Sequence, residues 1–516
     1  MRRISLYHTT LMRQEGVTMT SLPAALYSAQ QTRALDQLAM DKYHMPGIRL
    51  MEAAGEFGYR VMRFRWPRAR KIAVICGPGN NGGDGYVLAR LAQEMGLNVT
   101  ALHINDPNKL KGDAQLAYKA FVLAKGQSLS FTRQNLASAE IIVDALFGTG
   151  LERDIADQWF DCVHAINETH CPVLTLDIPS GLHADSGHIL GNAVRASVTV
   201  SFVGLNVGLF LGQGPTLSGE VYFSDLDIPA EAASSISPVA ERVTQHSLAG
   251  LLKSRARDTH KRDYGQVLVI GGAPGMSGAA IMSALGAYRS GAGLVKVATH
   301  PAHSPCLGDS YPELMIQAVD RGKELRALMA ASDVVALGPG LGQDKWAQAL
   351  FATAMETSLP MVVDADGLNL LALNSARRQN WILTPHPGEA ARLLGIATRD
   401  VQSDRLAAVK AIAKQYGGVC VLKGANTLIA SSEKTVIGLC DSGNPGMASA
   451  GMGDVLTGVI AGLLAQGLSL DAAGRLSVWA HASAGDVVRQ RLGEQGLMAT
   501  DVLSELSGQL ALTGVL

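Results

Sequence analysis

"KIAVICGPGNNGGDGYVLARLAQEMGLNVTALHI", residues 71–104, decides the fold. It opens on a short apolar run, passes through a glycine-crowded turn, continues in a helical pattern and ends on a second apolar run. Such strands, rich in Val and Ile and separated by a helix, form a parallel βαβ unit whose sheet is covered on both faces. The same rhythm extends outward. A helical pattern from about Ser28 to Arg65, interrupted by "MPG" at Met45–Gly47, comes before it, and a helix near Leu110–Ala124 follows. Further strands read at "EIIVDALF" (Glu140–Phe147), "VLTLDI" (Val173–Ile178), "SVTVSFV" (Ser197–Val203) and "VYFSDL" (Val221–Leu226).

"DIPAEAASSISPVAERVTQHSLAGLL" then carries Ala, Ser and Pro without a strand pattern, so a linker is expected at 231–245. The rhythm restarts at "QVLVIGG" (Gln266–Gly272) and repeats at "GLVKVAT", "DVVALGPG", "PMVVDAD", "WILTPHP" and "VCVLKGA". The last hundred residues read as mostly helical. The expectation is an α/β protein of two domains, residues 23–230 and 246–516, behind a polar tail at 1–22.

A chain of 516 residues is too long for one ordinary core, and its 47% apolar and 17% charged composition fits a soluble globular class. A net charge of -1 gives no electrostatic case for nucleic acid or a membrane surface. Six cysteines (Cys76, Cys162, Cys171, Cys306, Cys420, Cys440) show neither CxxC nor zinc-ligand spacing, so reduced thiols and a cytoplasmic location are expected. The N-terminus has two arginines but no apolar segment after them, so it does not read as a secretory signal; Met12 or Met19 are alternative starts. Val455–Leu464 is apolar but falls short of the ~20 residues a membrane helix needs, and reads as a buried core helix.

In the first half, Gly77, Gly79 and Gly82 satisfy G-x-G-x-x-G, with Asp106 just after the next strand, which outlines a dinucleotide-binding turn. Pro78 and the pair Asn80–Asn81 depart from that outline, and the amides suggest a polar ligand or a cation. A plain tight strand–helix turn is the alternative. Asp144, the Gly148–Asp154 loop and Asp177 also stand at strand ends, where α/β sheets bind ligands. Any one such Asp is as readily a turn or cap residue.

In the second half no GxxxxGK[ST] sequence occurs, which excludes a Walker-type loop. Polar groups stand instead at Asp364 and Asp366, at His386 and Glu389, and at Lys423, Asn426 and Thr427. The stretch "NPGMASAGMGDVLTG" (Asn444–Gly458) leads into a helix, and a glycine-lined helix N-terminus gathers backbone N–H groups around a phosphoryl group. Asp454 beside it reads either as a cap or as the base that takes a hydroxyl proton. A solvated surface lysine is the alternative for Lys423, and a loop residue between prolines for His386.

At these residues the chain resembles a known family. "GPGNNGGDG", "DALFGTGL" and "DIPSGL" look like NAD(P)H-hydrate epimerase, of Rossmann-like α/β/α fold. "GAGLV", "YPELM", "GPGLG", "TPHPGE" and "NPGMASAGMGDVLTG" look like the nucleotide-dependent NAD(P)H-hydrate dehydratase, of ribokinase-like α/β/α fold. Their order resembles the bifunctional repair enzymes. The resemblance implies that the R and S hydrates of NADH and NADPH are interconverted, and that the S hydrate is dehydrated at the expense of ADP.

It further implies that Asn80, Asn81, Gly82, Gly83 and Asp84, with Gly148, Thr149, Gly150, Leu151, Glu152, Arg153 and Asp154, contact the hydrate in the epimerase half. Asp177 would transfer the proton, and Asn81, Asp144 and Ser180 would hold a potassium ion. In the dehydratase half Ala279, Gly340, Gly342, His386 and Asp454 would contact the hydrate, with Asp454 as the base. Lys423, Gly424, Ala425, Asn426, Thr427 and Gly453 would contact the nucleotide, with Mg2+ offsetting phosphate charge. Small molecules (NADHX, NADPHX and ADP), with neither nucleic acid nor membrane, are the expected partners, and a homo-oligomer is open. The rival readings are an NAD-dependent dehydrogenase fused to a ribokinase-like small-molecule kinase, and a non-catalytic nucleotide sensor.

Overall fold

The computed structural model describes residues 22–303 and 311–514. The tail expected at 1–22, the alternative starts and Cys306 therefore lie outside the described residues, apart from Leu22 itself. The chain divides into two compact units, Met1–Ala240 and Glu241–Leu516.

In the first unit the strands are β1 (Lys71–Cys76), β2 (Asn98–His103), β3 (Gln127–Ser130), β4 (Ile141–Ala145), β5 (Val173–Leu176), β6 (Val198–Phe202) and β7 (Glu220–Ser224). They form one sheet in the order β3-β2-β1-β4-β5-β6-β7, and every neighbouring pair is parallel. Alternation along β1 shows why the sheet needs helices on both sides. Ile72, Val74 and Cys76 enter one core, with Leu88, Ala117 and Phe121. Ala73 and Ile75 enter another, with Cys162, Val163 and Ile166. The expected interruption at Met45–Gly47 separates helices Ala29–Tyr43 and Gly47–Arg65.

The turn after β1 is built on backbone approach. A Cβ on Gly77 would stand 1.7 Å from the Leu146 carbonyl oxygen, and one on Gly82 2.1 Å from the Gly77 carbonyl oxygen. Gly79 differs, with nothing within 4 Å of such an atom. Gly77→Ala should therefore cost at least ~2 kcal/mol while Gly79→Ala costs less than ~1 kcal/mol, checked by urea unfolding of both variants. Equal effects would contradict this account of the turn.

In the second unit the strands are β8 (Gln266–Ile270), β9 (Leu294–Thr299), β10 (Met315–Ala318), β11 (Val334–Leu337), β12 (Met361–Val363), β13 (Trp381–Leu383), β14 (Val419–Leu422), β15 (Thr427–Ser431) and β16 (Ile437–Cys440). Their order is β16-β15-β14-β13-β12-β11-β8-β9-β10. Pairing is parallel from β10 to β14, whereas β14-β15 and β15-β16 are antiparallel. Helices Ser277–Arg289 and Met452–Ala465 pack closely: a Cβ on Gly458 would stand 1.8 Å from the Ser283 carbonyl oxygen.

One expectation is corrected. The stretch read as a strandless linker contains a short helix, Ala230–Ser234, and a strand, Ala240–Arg242. That segment is tied down, since Val243 N donates to the Leu439 carbonyl (2.7 Å) and Arg242 pairs with Asp441 (2.7 Å). The last hundred residues are mostly helical as expected, with helices Met452–Ala465, Leu470–Leu492 and Ala499–Gly514 after the strands β14, β15 and β16. Among the described residues the cysteines are free, and no helix is long and apolar enough to cross a membrane.

Candidate functional site

The first unit holds a cavity of about 690 Å³ at the carboxyl ends of its central strands. The turn after β1 supplies Asn80, Asn81 and Asp84; the loop after β4 supplies Gly148 through Arg153; Asp177 follows β5. Helix Ala29–Tyr43 closes another wall with Thr32, Arg33, Asp36 and Met40, which recur at helical spacing on one face. Gly82 and Gly83 do not line the cavity and are closely packed: a Cβ on Gly83 would meet Met51 Sδ at 2.5 Å. Asp154 is absent from the cavity wall.

Asp177 has φ 68°, a left-handed conformation that Asp tolerates better than most residues. It accepts a hydrogen bond from Thr149 N (2.8 Å), and a Cβ on Gly148 would lie 2.3 Å from its Oδ2. Burial pushes its carboxyl up to about 6, against the pull of the Thr149 bonds. Burial and the charge of Asp177 push Asp36 up to about 7. Asp84 rises well above the usual carboxylate range through burial and the charges of Asp177 and Asp36.

Asp144 and Ser180 are fully buried. Ser180 Oγ donates to Asp144 Oδ1 (2.6 Å), while Ser180 N (3.0 Å) and Thr175 Oγ1 (3.0 Å) donate to Oδ2. Burial raises the Asp144 carboxyl, and these hydrogen bonds oppose the rise. Asn81 is 8% exposed, and neither its amide oxygen nor its amide nitrogen has a partner. Such an orphaned amide oxygen, with carboxylate and hydroxyl oxygens, matches what a hard cation selects. Among the described residues no group of three or more His, Cys, Asp or Glu could hold a metal ion. Asp106, just after β2, caps the turn that follows: its carboxylate accepts from Asn108 N (3.0 Å).

The second unit gathers its polar groups at the ends of consecutive parallel strands. Asp364 follows β12, His386 and Glu389 follow β13, and Lys423 follows β14. Lys423 Nζ lies 2.6 Å from Asp364 Oδ1 and 3.9 Å from Glu389 Oε2. Thr457 Oγ1 donates to the other oxygen of Asp364 (2.7 Å). Lys423 is thus no solvated lysine. Its ammonium is committed to carboxylates, so any contact with a nucleotide falls to its backbone and to the turn that follows. There Asn426 takes a left-handed φ of 56° and Thr427 Oγ1 donates to the Gly424 carbonyl (3.2 Å).

Asp454 lies in the first turn of helix Met452–Ala465, whose start at Gly451 (φ 89°) has no side-chain cap. It does not serve as the cap. Burial and the Asp364 charge push it up to about 7, with Lys423 opposing and Glu389 adding to the rise. Gly453 lies beside it, where a Cβ would stand 3.1 Å from Lys423 Nζ. His481, 7% exposed, bonds to the Met452 backbone; burial and the Lys423 charge push it down to about 4, so its ring is neutral.

His386 caps helix Pro387–Leu394: its Nδ1 accepts from Gly388 N (2.9 Å) and its own N donates to Glu389 Oε2 (2.8 Å). Gly340 and Gly342 take left-handed φ values of 59° and 75°. A Cβ on Gly340 would lie 3.1 Å from Ala279 Cβ, so these positions adjoin. Gly342 N donates to Asp366 Oδ2 (2.9 Å), which fixes that loop.

Two family models cover the two units. YjeF-related protein N-terminus matches residues 47–208, and NAD(P)H-hydrate dehydratase matches residues 267–507. The chain is 44% identical over 481 residues to the bifunctional NAD(P)H-hydrate repair enzyme Nnr of Coxiella burnetii, covering 93% of this chain and 98% of that protein. The chain belongs to the bifunctional NAD(P)H-hydrate repair enzyme family. The Escherichia coli K12 member is 40% identical over 486 residues, covering 94% of each chain. A solved structure of ADP/ATP-dependent NAD(P)H-hydrate dehydratase from Bacillus subtilis, co-crystallised with ATP/Mg2+, is 30% identical; it covers 52% of this chain and 97% of its own, with a TM-score of 0.47. Each matched unit is an α/β domain, the first built on parallel strands alone and the second on a mostly parallel set.

Sequence reasoning missed two residues that this repair-enzyme chain brings to its sites, Asp36 and His481, and the pairing of two others with Lys423. Asp36 sits on a helix that carries no motif. Asp364 and Glu389 were legible as strand-end acids but not as the partners of Lys423. His481, the twelfth residue of helix Leu470–Leu492, gave no signal at all. Replacing Lys423 with Met leaves Asp364, Glu389 and Asp454 without their cation. The loss expected from breaking such a buried pair is ~3–5 kcal/mol, read as a lower urea midpoint, with the Asp454 titration moved above 7. A midpoint and titration unchanged from the parent would contradict the charge arrangement.

Proposed function

We propose that the chain is a metabolite-repair enzyme acting on hydrated NADH and NADPH. The first unit interconverts the R and S hydrates. The second dehydrates the S hydrate while ADP becomes AMP and phosphate. The observation that carries the reading is the pairing, in a chain of this family, of two sites that each hold a buried carboxylate, Asp177 in the cavity wall bonded to Thr149 N and Asp454 in the first turn of its helix near the Lys423–Asp364 pair, pushed up by burial to about 6 and about 7. A general acid or base works best with its pKa near the operating pH.

In the first unit the hydrate lies along Asn80–Asp84 and Gly148–Arg153, and Asp177 exchanges a proton with the C6 oxygen. Potassium belongs to this proposal, with Asn81, Asp144 and Ser180 as its holders; it would supply positive charge beside the buried Asp144. The orphaned oxygen of Asn81 supports that assignment.

In the second unit Asp454 takes the proton of the C6 hydroxyl. The oxygen forms a bond to the terminal phosphorus of ADP, and the bond from that phosphorus to the AMP oxygen breaks. Phosphate then leaves C6 and a proton leaves C5, restoring the ring double bond. Ala279, Gly340, Gly342 and His386 shape the hydrate side, and the Lys423–Thr427 turn with Gly453 bounds the nucleotide side. Magnesium, when bound with the nucleotide, offsets phosphate charge. Lys423 opposes the rise of Asp454 and so favours the ionised base. Dehydration should therefore climb with pH through about 7 and level off above 8; a rate flat from pH 5.5 to 8.5 would remove Asp454 from the rate-determining step. A cytoplasmic location and assembly into a homo-oligomer belong to the same reading.

The test uses separate substrates. R hydrate without nucleotide should yield S hydrate, and S hydrate with ADP should yield the reduced nicotinamide with equal amounts of AMP and phosphate. A stable phosphorylated product would favour the ribokinase-like kinase reading instead.

A further inference from the structure

The first cavity contains a carboxylate that neither the motifs nor the proposed mechanism uses. Asp36 stands on helix Ala29–Tyr43, ahead of the family match that begins at residue 47. The helix is fixed in place at its start. Ser28 and Gln31 form a capping box, Ala29 N donates to Asp185 Oδ1 (2.7 Å), and the buried Thr32 Oγ1 donates to Asn206 Oδ1 (3.2 Å). A Cβ on Gly204 would lie 3.0 Å from Thr32 Oγ1, so the helix lies tight against the segment after β6. From there Thr32, Arg33, Asp36 and Met40 form one wall of the cavity, while Asp177 enters from the sheet.

We infer that Asp36 is a second acid/base group for epimerisation, working with Asp177 from a different wall of the cavity. The inference rests on the reading of the first unit as the epimerase. Inverting C6 requires breaking its bond to oxygen and remaking it on the other face of the ring. The leaving hydroxyl takes a proton from one carboxyl and departs as water, while the N1 lone pair forms a C6=N1 double bond. A water then adds to C6 from the opposite face, the electron pair returns to N1, and the other carboxylate takes the water's proton. Protons and electrons balance, and the two carboxyl groups exchange roles in the reverse direction. One carboxylate on one side serves only half of this sequence.

The electrostatics of the cavity agree with this division. Its charged lining is Asp36, Asp84, Asp113, Glu152 and Asp177 against Arg33 and Arg153. Arg33 leans toward Glu152 at 3.6 Å, on the exposed side. Burial raises both Asp177 and Asp36, and the charge of Asp177 raises Asp36 further, so the pair favours the state in which one carboxyl holds a proton and the other is ionised.

The experiment uses the full chain, so that dehydration of the S hydrate with ADP reports on integrity in every sample. Conversion of R hydrate is measured from pH 5 to 8.5 for the parent, Asp36→Asn, Asp36→Glu and Asp177→Asn. Asp36→Asn should lower epimerisation on the order of 100-fold and abolish the fall in rate above about 7, while leaving S dehydration intact. Asp36→Glu should recover part of the rate. Epimerisation by Asp36→Asn within twofold of the parent, with the alkaline fall retained, would overturn the inference. If Asp177→Asn is inactive in that case, the epimerase reading survives and only the role of Asp36 is lost. If Asp177→Asn is also fully active, the epimerase site itself is misplaced. A melting transition of Asp36→Asn at or above the parent's separates lost chemistry from lost folding.

Discussion

Asp454→Asn is expected to lose ADP-dependent dehydration by ~10²–10⁴-fold, with epimerisation unchanged. The residue lies in the first turn of an uncapped helix and beside Gly453, facing the Lys423–Asp364 pair. An amide keeps its size but cannot take the hydroxyl proton. The same substitution should stabilise the fold in a defined pH window. Burial, with the Asp364 charge, pushes the Asp454 carboxyl up to about 7, well above the usual carboxylate range, so the folded state holds the proton more tightly than the unfolded chain. The stability linked to that proton is present below about 4 and is lost as pH rises through about 7. Asp454→Asn should therefore melt higher than the parent at pH 8, and the difference should shrink toward pH 4. Full dehydration by the variant would return Asp454 to a structural role. A lower melting temperature at pH 8 would contradict its burial as a costly carboxylate.

Asp177→Asn is expected to lower R-to-S conversion by a comparable ~10²–10⁴-fold and to leave S dehydration alone. The geometry restricts what else this change disturbs. Thr149 N can still donate to the amide oxygen, and Asn tolerates the left-handed φ of 68° that Asp177 adopts. Charge is what disappears. Asp36 and Asp84 are both raised in part by Asp177, so both should titrate lower in the variant, which NMR of labelled carboxyl carbons can follow. Unchanged titration of Asp36 would separate the two groups and undo the shared cavity.

Much of this was legible in the sequence, for reasons that can be named. β1 reads as a covered strand because all its residues after Lys71 are apolar, and they are indeed buried. β3 was invisible because its sequence, QSLS, is polar and exposed at both ends. β15 and β16 were hidden because glycine- and serine-rich segments around them mask two short antiparallel strands. The site follows the same division. Asp177 and Asp454 announce themselves through the glycines and strand ends beside them. Lys423 and Asp364 lie 59 residues apart in the chain, and only the parallel order β12-β13-β14 brings them to 2.6 Å. Asp36 faces the cavity only because capping and Thr32 set the rotation of its helix, which no local pattern encodes.

The most direct test of the account is recovery from a mixture. NADPH hydrate containing both epimers is given to the full chain with excess ADP, and return of the reduced-nicotinamide absorbance is followed to completion. The account predicts recovery of essentially all the hydrate, with one AMP and one phosphate per molecule restored. Recovery that stops at the S fraction would contradict the epimerase half, and no recovery at all would contradict the account as a whole.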